Sequence, residues 1–266
     1  SSMQTAMDKG VDFTGGGAAV NVSNKVMGTS GALSYRPSSG FGYCAQSANG
    51  KEAFIVTKGT SPCLADVLTD LDAIPTSTGF GNTSAHGFVK TFRSMESKIH
   101  EFVTAGSYNT IHCIGHSLGG ALAALVANKY SQNNNTNIKL YTFGAPRVFF
   151  GNSKQLASVD SYRVYHEADP VPMLGPFPLC HYDGGLNVGS GMTICNPFKH
   201  AMSSYNQACA KQSWQALRGT PKQASGIIGQ GKALIDGGSS WMFRALQHLV
   251  TYGISILGIA VGAAVF

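Results

Sequence analysis

The feature that most constrains this chain is a five-residue turn, Gly115-His116-Ser117-Leu118-Gly119. It stands directly after a short β-type run, Thr110-Ile111-His112-Cys113-Ile114. It stands directly before a helical pattern from Leu118 to Tyr130. A strand that becomes a helix across so sharp a turn leaves no room for bulk two positions either side of the serine. Gly115 and Gly119 meet that demand, and Gly120 extends the close approach. Such an elbow lifts a serine hydroxyl over the edge of a sheet, with the first amides of the helix aimed at the same place.

The surrounding pattern suits a sheet that can carry an elbow. Ala53-Phe54-Ile55-Val56-Thr57 is a β-rich run closed by Gly59. Phe88, Phe92, Met95, Ile99 and Phe102 recur at helical spacing between His86 and Phe102. Ile138 to Phe143 and Tyr162 to His166 are further strand candidates, and His200 to Leu217 is again helical. Strands alternating with helices predict an α/β fold built from βαβ units around a mostly parallel sheet, with helices on both faces. Residues 1–40 are small, polar and weakly periodic, and read as an irregular start with one short helix. Residues 1–218 are therefore expected to form the α/β domain, 219–240 a Gly/Ser-rich linker, and 241–266 a hydrophobic C-terminal helix.

Composition narrows the class. Of 266 residues, 43% are apolar, which excludes a disordered chain. Charged residues are only 12%, about half the usual share. With 19 Lys+Arg against 13 Asp+Glu, the net charge of +6 favours anionic surfaces such as phospholipid headgroups. No basic block interleaved with aromatics points to nucleic acid. The 6 cysteines include no C-x-x-C pair, so no metal site is expected. Cys180 and Cys195 flank a glycine-rich stretch and are candidates for a bridge. No basic stretch followed by an apolar core opens the chain, so the protein is expected to be membrane-associated or, if it leaves a cell, to have been trimmed or to use a route other than a Sec-type signal.

A serine nucleophile needs a base, and the base needs an orienting acid. On an elbow-bearing sheet the chain order is Ser, Asp or Glu, then His. The acids after Ser117 are Asp160, Glu167, Asp169, Asp183 and Asp236. Asp169 follows the strand Tyr162–His166 and precedes Pro170-Val171-Pro172. That places a carboxylate where the ends of parallel strands meet a site. Among His181, His200 and His248, His200 follows the short run Leu186–Gly189 and precedes a helix, on a loop able to reach back over the elbow. His181, between nearby prolines and Asp169, reads as a structural hydrogen-bonding residue. His248 borders the apolar tail.

These residues carry a resemblance. Val56-Thr57-Lys58-Gly59-Thr60 with Asp70-Leu71 after it, His86-Gly87-Phe88, Ile114 to Gly120, Thr142-Phe143-Gly144-Ala145-Pro146-Arg147-Val148, Tyr162-Arg163-Val164 leading to Asp169-Pro170-Val171-Pro172, and His200 with Tyr205 occur in the order of the class 3 (fungal-type) lipases. The resemblance implies an α/β-hydrolase that cleaves acyl esters of lipids without a cofactor. It implies Ser117 as nucleophile, Asp169 as acid, His200 as base, and Thr60 with the Leu118 amide as oxyanion donors. Pro62 to about Thr78 occupies the place of the family's lid, with Pro62, Leu64, Val67, Leu68 and Leu71 as its apolar side and Asp66, Asp70 and Asp72 spaced among them.

The last 18 residues, Leu249 to Phe266, carry no charge. As a helix they span about 27 Å against a bilayer core of about 30 Å. Thr251, Ser255, Gly258 and Gly262 fall on one face, a stripe that permits close helix packing. Insertion into a membrane, folding back onto the hydrolase, or an oligomer face each suit this pattern. Positive charge and an apolar tail favour phospholipids over triacylglycerols as substrate. They also resemble the phospholipase toxins of bacterial type VI secretion, which implies immunity and secretion partners. Alternatives are a triacylglycerol lipase, a soluble carboxylesterase, and a membrane-inserting, pore-forming toxin in which the hydrolase is secondary.

Overall fold

The computed structural model describes residues 20–28, 39–59, 72–132, 135–151, 156–175, 178–182, 184–189 and 196–212. Their elements are β1 (Val20–Gly28), β2 (Ser39–Ser47), β3 (Glu52–Thr57), β4 (Pro75–Ser77), β5 (Thr83–Ala85), α1 (His86–Ala105), β6 (Thr110–His116), α2 (Leu118–Tyr130), β7 (Asn137–Phe143), β8 (Phe149–Phe150), β9 (Asp160–Tyr165), β10 (Leu179–Cys180), β11 (Leu186–Asn187) and α3 (Met202–Ala210). Short 3-10 turns occupy Val171–Met173 and Pro197–His200.

The main sheet has the order β1-β2-β3-β6-β7-β9-β11. From β3 to β11 every pairing is parallel, and β1 and β2 add an antiparallel edge. Thr57 pairs with Gly115, His116 with Phe143, and Phe143 with Val164. The C-terminal ends of four parallel strands therefore line up, and every loop leaving them opens on one edge. A second sheet, β10-β8-β5-β4, is antiparallel and small.

Pleat and helix period explain the packing. Ile111 and Cys113 of β6 and Ile138 and Leu140 of β7 point to one face. There they meet Phe88, Phe92, Met95, Ile99 and Phe102 of α1 and the body of α2 in one apolar core. Every residue of α2 from Leu118 to Asn128 is buried. The small residues Gly119, Gly120, Ala121, Ala123, Ala124 and Ala127 let this helix lie close to the sheet. Lys129 in its last turn reaches Glu96 of α1 at 2.6 Å. The alternate residues of the same strands face away. Rings of Phe54, His112, Tyr141 and Tyr162 stack in succession across that face, with centroids 4.7, 6.0 and 4.9 Å apart. Helix α3 comes to this second face, where Tyr205 meets Phe143.

Three readings of the sequence need correction. Residues within 1–40 include strands rather than an irregular start: β1 and the beginning of β2 pair, with Val20 opposite Ser47 and irregularities at Val22/Asn24 and Val26/Met27. Both faces of β2 are buried around Tyr43, Cys44 and Ala45, so no apolar–polar alternation announces the strand. Pro75–Ser77, inside the stretch assigned to a lid, is strand β4, paired with β5. The helix expected from His200 begins as a 3-10 turn and breaks at Ala201, whose ψ of 137° is extended, before α3 starts at Met202. Cys180 is a free thiol whose Sγ lies 2.6 Å from the Gly151 carbonyl oxygen.

Pro62, Leu64, Val67, Leu68, Leu71, Thr60, Cys195, the linker and the hydrophobic C-terminal helix lie outside the described residues. Among the described residues no helix is long and apolar enough to cross a membrane.

Phe88 is fully buried on α1, so Phe88→Ala is expected to cost about 3–5 kcal/mol. Urea unfolding checks this, as a lowered midpoint with an unchanged slope.

Candidate active site

Ser117 sits between the last residue of β6 and the first of α2, with φ 59° and ψ −134°. A residue with a Cβ at such a positive φ stores about 1–3 kcal/mol of strain. Three contacts hold it there. The Ser117 amide donates to the Phe143 carbonyl at 3.0 Å, and the Gly120 amide donates to the Ser117 carbonyl at 2.8 Å. The Thr57 hydroxyl lies 2.6 Å from the Gly119 carbonyl oxygen, tying β3 to the helix start. A Cβ on Gly115 would collide with the Gly119 backbone, and one on Gly119 with Thr57 and Lys58. The flanking glycines of the elbow are therefore sterically required. Gly59 is required too, since a Cβ there would stand 2.8 Å from Ser117 Cβ. The loop that leads on to Thr60 thus lies against the serine, and Thr60 itself is beyond the described residues.

Asp169, on the loop after β9, is completely buried. Its Oδ1 accepts the Val171 amide at 2.9 Å. Its Oδ2 accepts the Tyr205 hydroxyl at 2.6 Å and the His200 Nδ1–H at 2.8 Å. Gly144 makes room for this cluster at φ +58°, since a Cβ there would stand 2.8 Å from Asp169 Oδ2 and 2.9 Å from Tyr205 Oη. With Nδ1–H given to Asp169, the His200 Nε2 is left to accept the Ser117 hydroxyl, 2.7 Å away. The structure thus brings Ser117, His200 and Asp169 into one continuous chain of hydrogen bonds. Leu118 heads α2, where its amide has no intrahelical acceptor and faces the serine's surroundings.

The competing residues are elsewhere. Glu167 accepts from Asn187 Nδ2 at 3.0 Å. His181 Nε2 donates to the Pro172 carbonyl at 2.7 Å, in the structural role its surroundings suggest. Asp72 lies 2.7 Å from His86 Nδ1 at the start of α1.

Two residues of the site escaped a reading by motif. Tyr205, beyond its place in the terminal block, donates to the buried acid and accepts the His166 amide at 3.1 Å. Burial first, and Asp169 second, push its phenol well above 10, so it remains a donor. His116 fills the variable position of the elbow. Its Nε2–H donates to the His200 carbonyl at 2.7 Å, and its ring stacks on that of His200. Strand parity was the available signal: His116 follows His112 and Ile114 on the face opposite α2. Among the described residues no group of three or more His, Cys, Asp or Glu is placed to hold a metal ion.

A serine at the end of such a relay, beside a helix N-terminus, defines a serine hydrolase-type site on an α/β-hydrolase fold. Residues 54–178, a little under half of the chain, match the family model of the class 3 lipases, so the chain is similar to that family over this stretch. It is 38% identical over 97 residues to the secreted mono- and diacylglycerol lipase 1 of Fusarium solani, covering 34% of this chain and 29% of that one. It is 30% identical over 163 residues to toxin TseL of Vibrio cholerae, covering 58% and 25%. A solved mutant of MDLA from Penicillium cyclopium shares the fold at TM-score 0.51 and 21% identity, covering 71% of this chain and 74% of that one. The chain spans about a quarter to two fifths of the curated relatives it matches.

Two outcomes are expected. Tyr205→Phe keeps the ring but strips a donor from Asp169 and an acceptor from the His166 amide, so it loses about 1–3 kcal/mol in chemical denaturation. The second concerns pH. Burial, and then the neighbouring His200, lower His116 from 6.5 to about 4. Between those values the unfolded chain binds a proton that the folded chain does not. Stability therefore holds above about pH 6.5, falls as pH drops toward 4, and then levels off. Thermal midpoints measured across this range should fall less steeply in His116→Gln than in the wild type.

Proposed function

We propose that this chain is a serine esterase that cleaves acyl esters of membrane lipids. The relay from Asp169 through His200 to Ser117 carries the reading. Ser117 Oγ attacks the acyl carbonyl carbon while its proton passes to His200 Nε2. The carbonyl oxygen becomes an oxyanion beside the Leu118 amide, with Thr60 as the second donor by family resemblance. Losing one such donor typically costs about 100- to 1000-fold in rate. Collapse breaks the ester bond, and the leaving alkoxide takes the proton from Nε2. Water then gives a proton to Nε2 as it attacks the acyl carbon, and collapse breaks the bond to Ser117 Oγ, which takes the proton back from Nε2 as the fatty acid leaves. Asp169 stays ionised throughout and steadies the imidazolium.

The surroundings support a membrane as the source of substrate. Phe198, two residues before the base, is 84% exposed, and Met202, two after it, is 44% exposed. Lys199 lies between them, and exposed Lys58 precedes Gly59 on the serine's other side. Apolar side chains interleaved with lysines suit an anionic phospholipid surface. The likeness to a protein named a toxin favours a role as an effector against membranes, with a neutralising immunity protein and a secretion protein as partners. Residues 241–266 are then a membrane-seeking segment. The likeness to a mono- and diacylglycerol lipase favours a second reading, in which neutral glycerides are the substrate.

Fatty-acid release is the test, from phosphatidylglycerol/phosphatidylethanolamine vesicles beside a triacylglycerol emulsion. Wild type should act on the vesicles, Ser117→Ala should be silent, and a chain ending near Ser240 should lose vesicle activity preferentially. Release from the emulsion alone establishes the glyceride reading instead. Vesicle leakage that persists in Ser117→Ala would point to membrane insertion as the primary act.

A further inference from the structure

We infer that His116 is a positioning residue for the base, gripping His200 at both its backbone and its ring. The inference rests on the triad reading and concerns how that triad keeps its geometry.

His200 is poorly held by its own segment. It ends the 3-10 turn Pro197–His200, and the chain reverts to extended backbone at Ala201. No residue of that turn is buried. Yet the reaction needs Nδ1 aimed at Asp169 and Nε2 aimed at Ser117 at the same time, and misplacement by about 1 Å costs on the order of 100-fold in rate. The stiffness must come from outside the turn.

His116 supplies it from a strand paired on both sides in the main sheet. Its backbone belongs to β6, in register with Phe143 in the middle of the main sheet. Its Nε2–H donates to the His200 carbonyl at 2.7 Å, which fixes where the turn ends. Its ring lies against the His200 ring with centroids 4.7 Å apart and planes 27° from parallel, which limits rotation of the base. Tyr205 meets the ring of His116 edge-on at 5.9 Å and holds it from α3. Three titratable groups face His116: His200 from the turn, Asp169 from the loop after β9, and Tyr205 from α3. Burial keeps His116 uncharged down to about pH 4. It therefore presents one N–H to the carbonyl and a neutral ring face to the imidazolium that forms during turnover. An uncharged ring does not repel that cation as a second imidazolium would.

The two grips separate by substitution. His116→Phe keeps a ring and loses the donor. His116→Gln keeps an N–H and loses the ring. His116→Ala loses both. Each is made in the full chain and assayed on a soluble short-chain p-nitrophenyl ester, with circular dichroism and thermal melts to verify folding. The downfield proton resonance of His200 Nδ1–H is followed alongside. His116→Ala should lower kcat about 10- to 100-fold with KM nearly unchanged. Its downfield resonance should broaden or vanish. Phe and Gln should each restore part of kcat. Wild-type kcat and a sharp resonance in His116→Ala would overturn the inference. So would equal losses in all three variants that track lowered melting temperature while the resonance stays sharp. A wild-type protein with no esterase activity would refute the function proposed above, and the resonance would still report whether His116 holds His200.

Discussion

A carboxylate sealed from water governs the active-site edge of this fold. Stripping an ion of its hydration costs several kcal/mol unless partners replace the lost water. Asp169 is fully buried, and three donors converge on it: the Val171 amide, the Tyr205 hydroxyl and the His200 imidazole. Each donor comes from a different piece of backbone. Satisfying one charge therefore fixes the 3-10 turn after β9, the first half of α3, and the turn that ends at His200. The demand reaches the residue after β7 as well, because Gly144 must take a positive φ without a side chain to let Asp169 and Tyr205 approach. Part of the Thr142–Val148 block is thus a packing requirement of the acid.

The other fixed point is steric. The elbow brings three backbones together: the end of β3, the turn itself, and the first residues of α2. Gly59, Gly115 and Gly119 are the places where a methyl group would strike backbone or the serine. The strained φ of Ser117 persists because its amide and carbonyl are both bonded and because Thr57 holds the helix start. The charge fixes where the base stands, and the glycines fix where the hydroxyl stands. The 2.7 Å contact between them is the distance left when both constraints are met.

How much of this could be read beforehand follows from which residues signal locally. The strand–elbow–helix around Ser117 was legible because glycines two residues either side of a serine encode a conformation directly. The helix α1 was legible because its buried face recurs at helical spacing from Phe88 to Phe102. Asp169 and His200 were legible through chain order and their places on loops after strands. Strand β2 was not, since it is buried on both faces around Tyr43, Cys44 and Ala45 and so lacks alternation. The identity of β4 was hidden because its partner is β5, and a pairing leaves little mark on a three-residue strand. The role of His116 was hidden because it arises from a turn that returns 84 residues later in the chain.

Consecutive residues on β6 serve different layers, and that couples stability to chemistry. Gly115 lies on the helix side, where its lack of a side chain lets α2 close onto the sheet. His116 lies on the opposite side, where it meets His200 and Tyr205. Ser117 is at the point where the strand ends and neither side owns it. A shift of β6 by one residue would exchange the two faces, setting an imidazole into the apolar core and a glycine under the base. The parallel pairings to β3 and β7, with Ile111, Cys113 and Leu140 locked beneath α1 and α2, forbid that shift. The apolar core therefore does more than stabilise the domain. By fixing the register of one strand it decides which side chain meets the base.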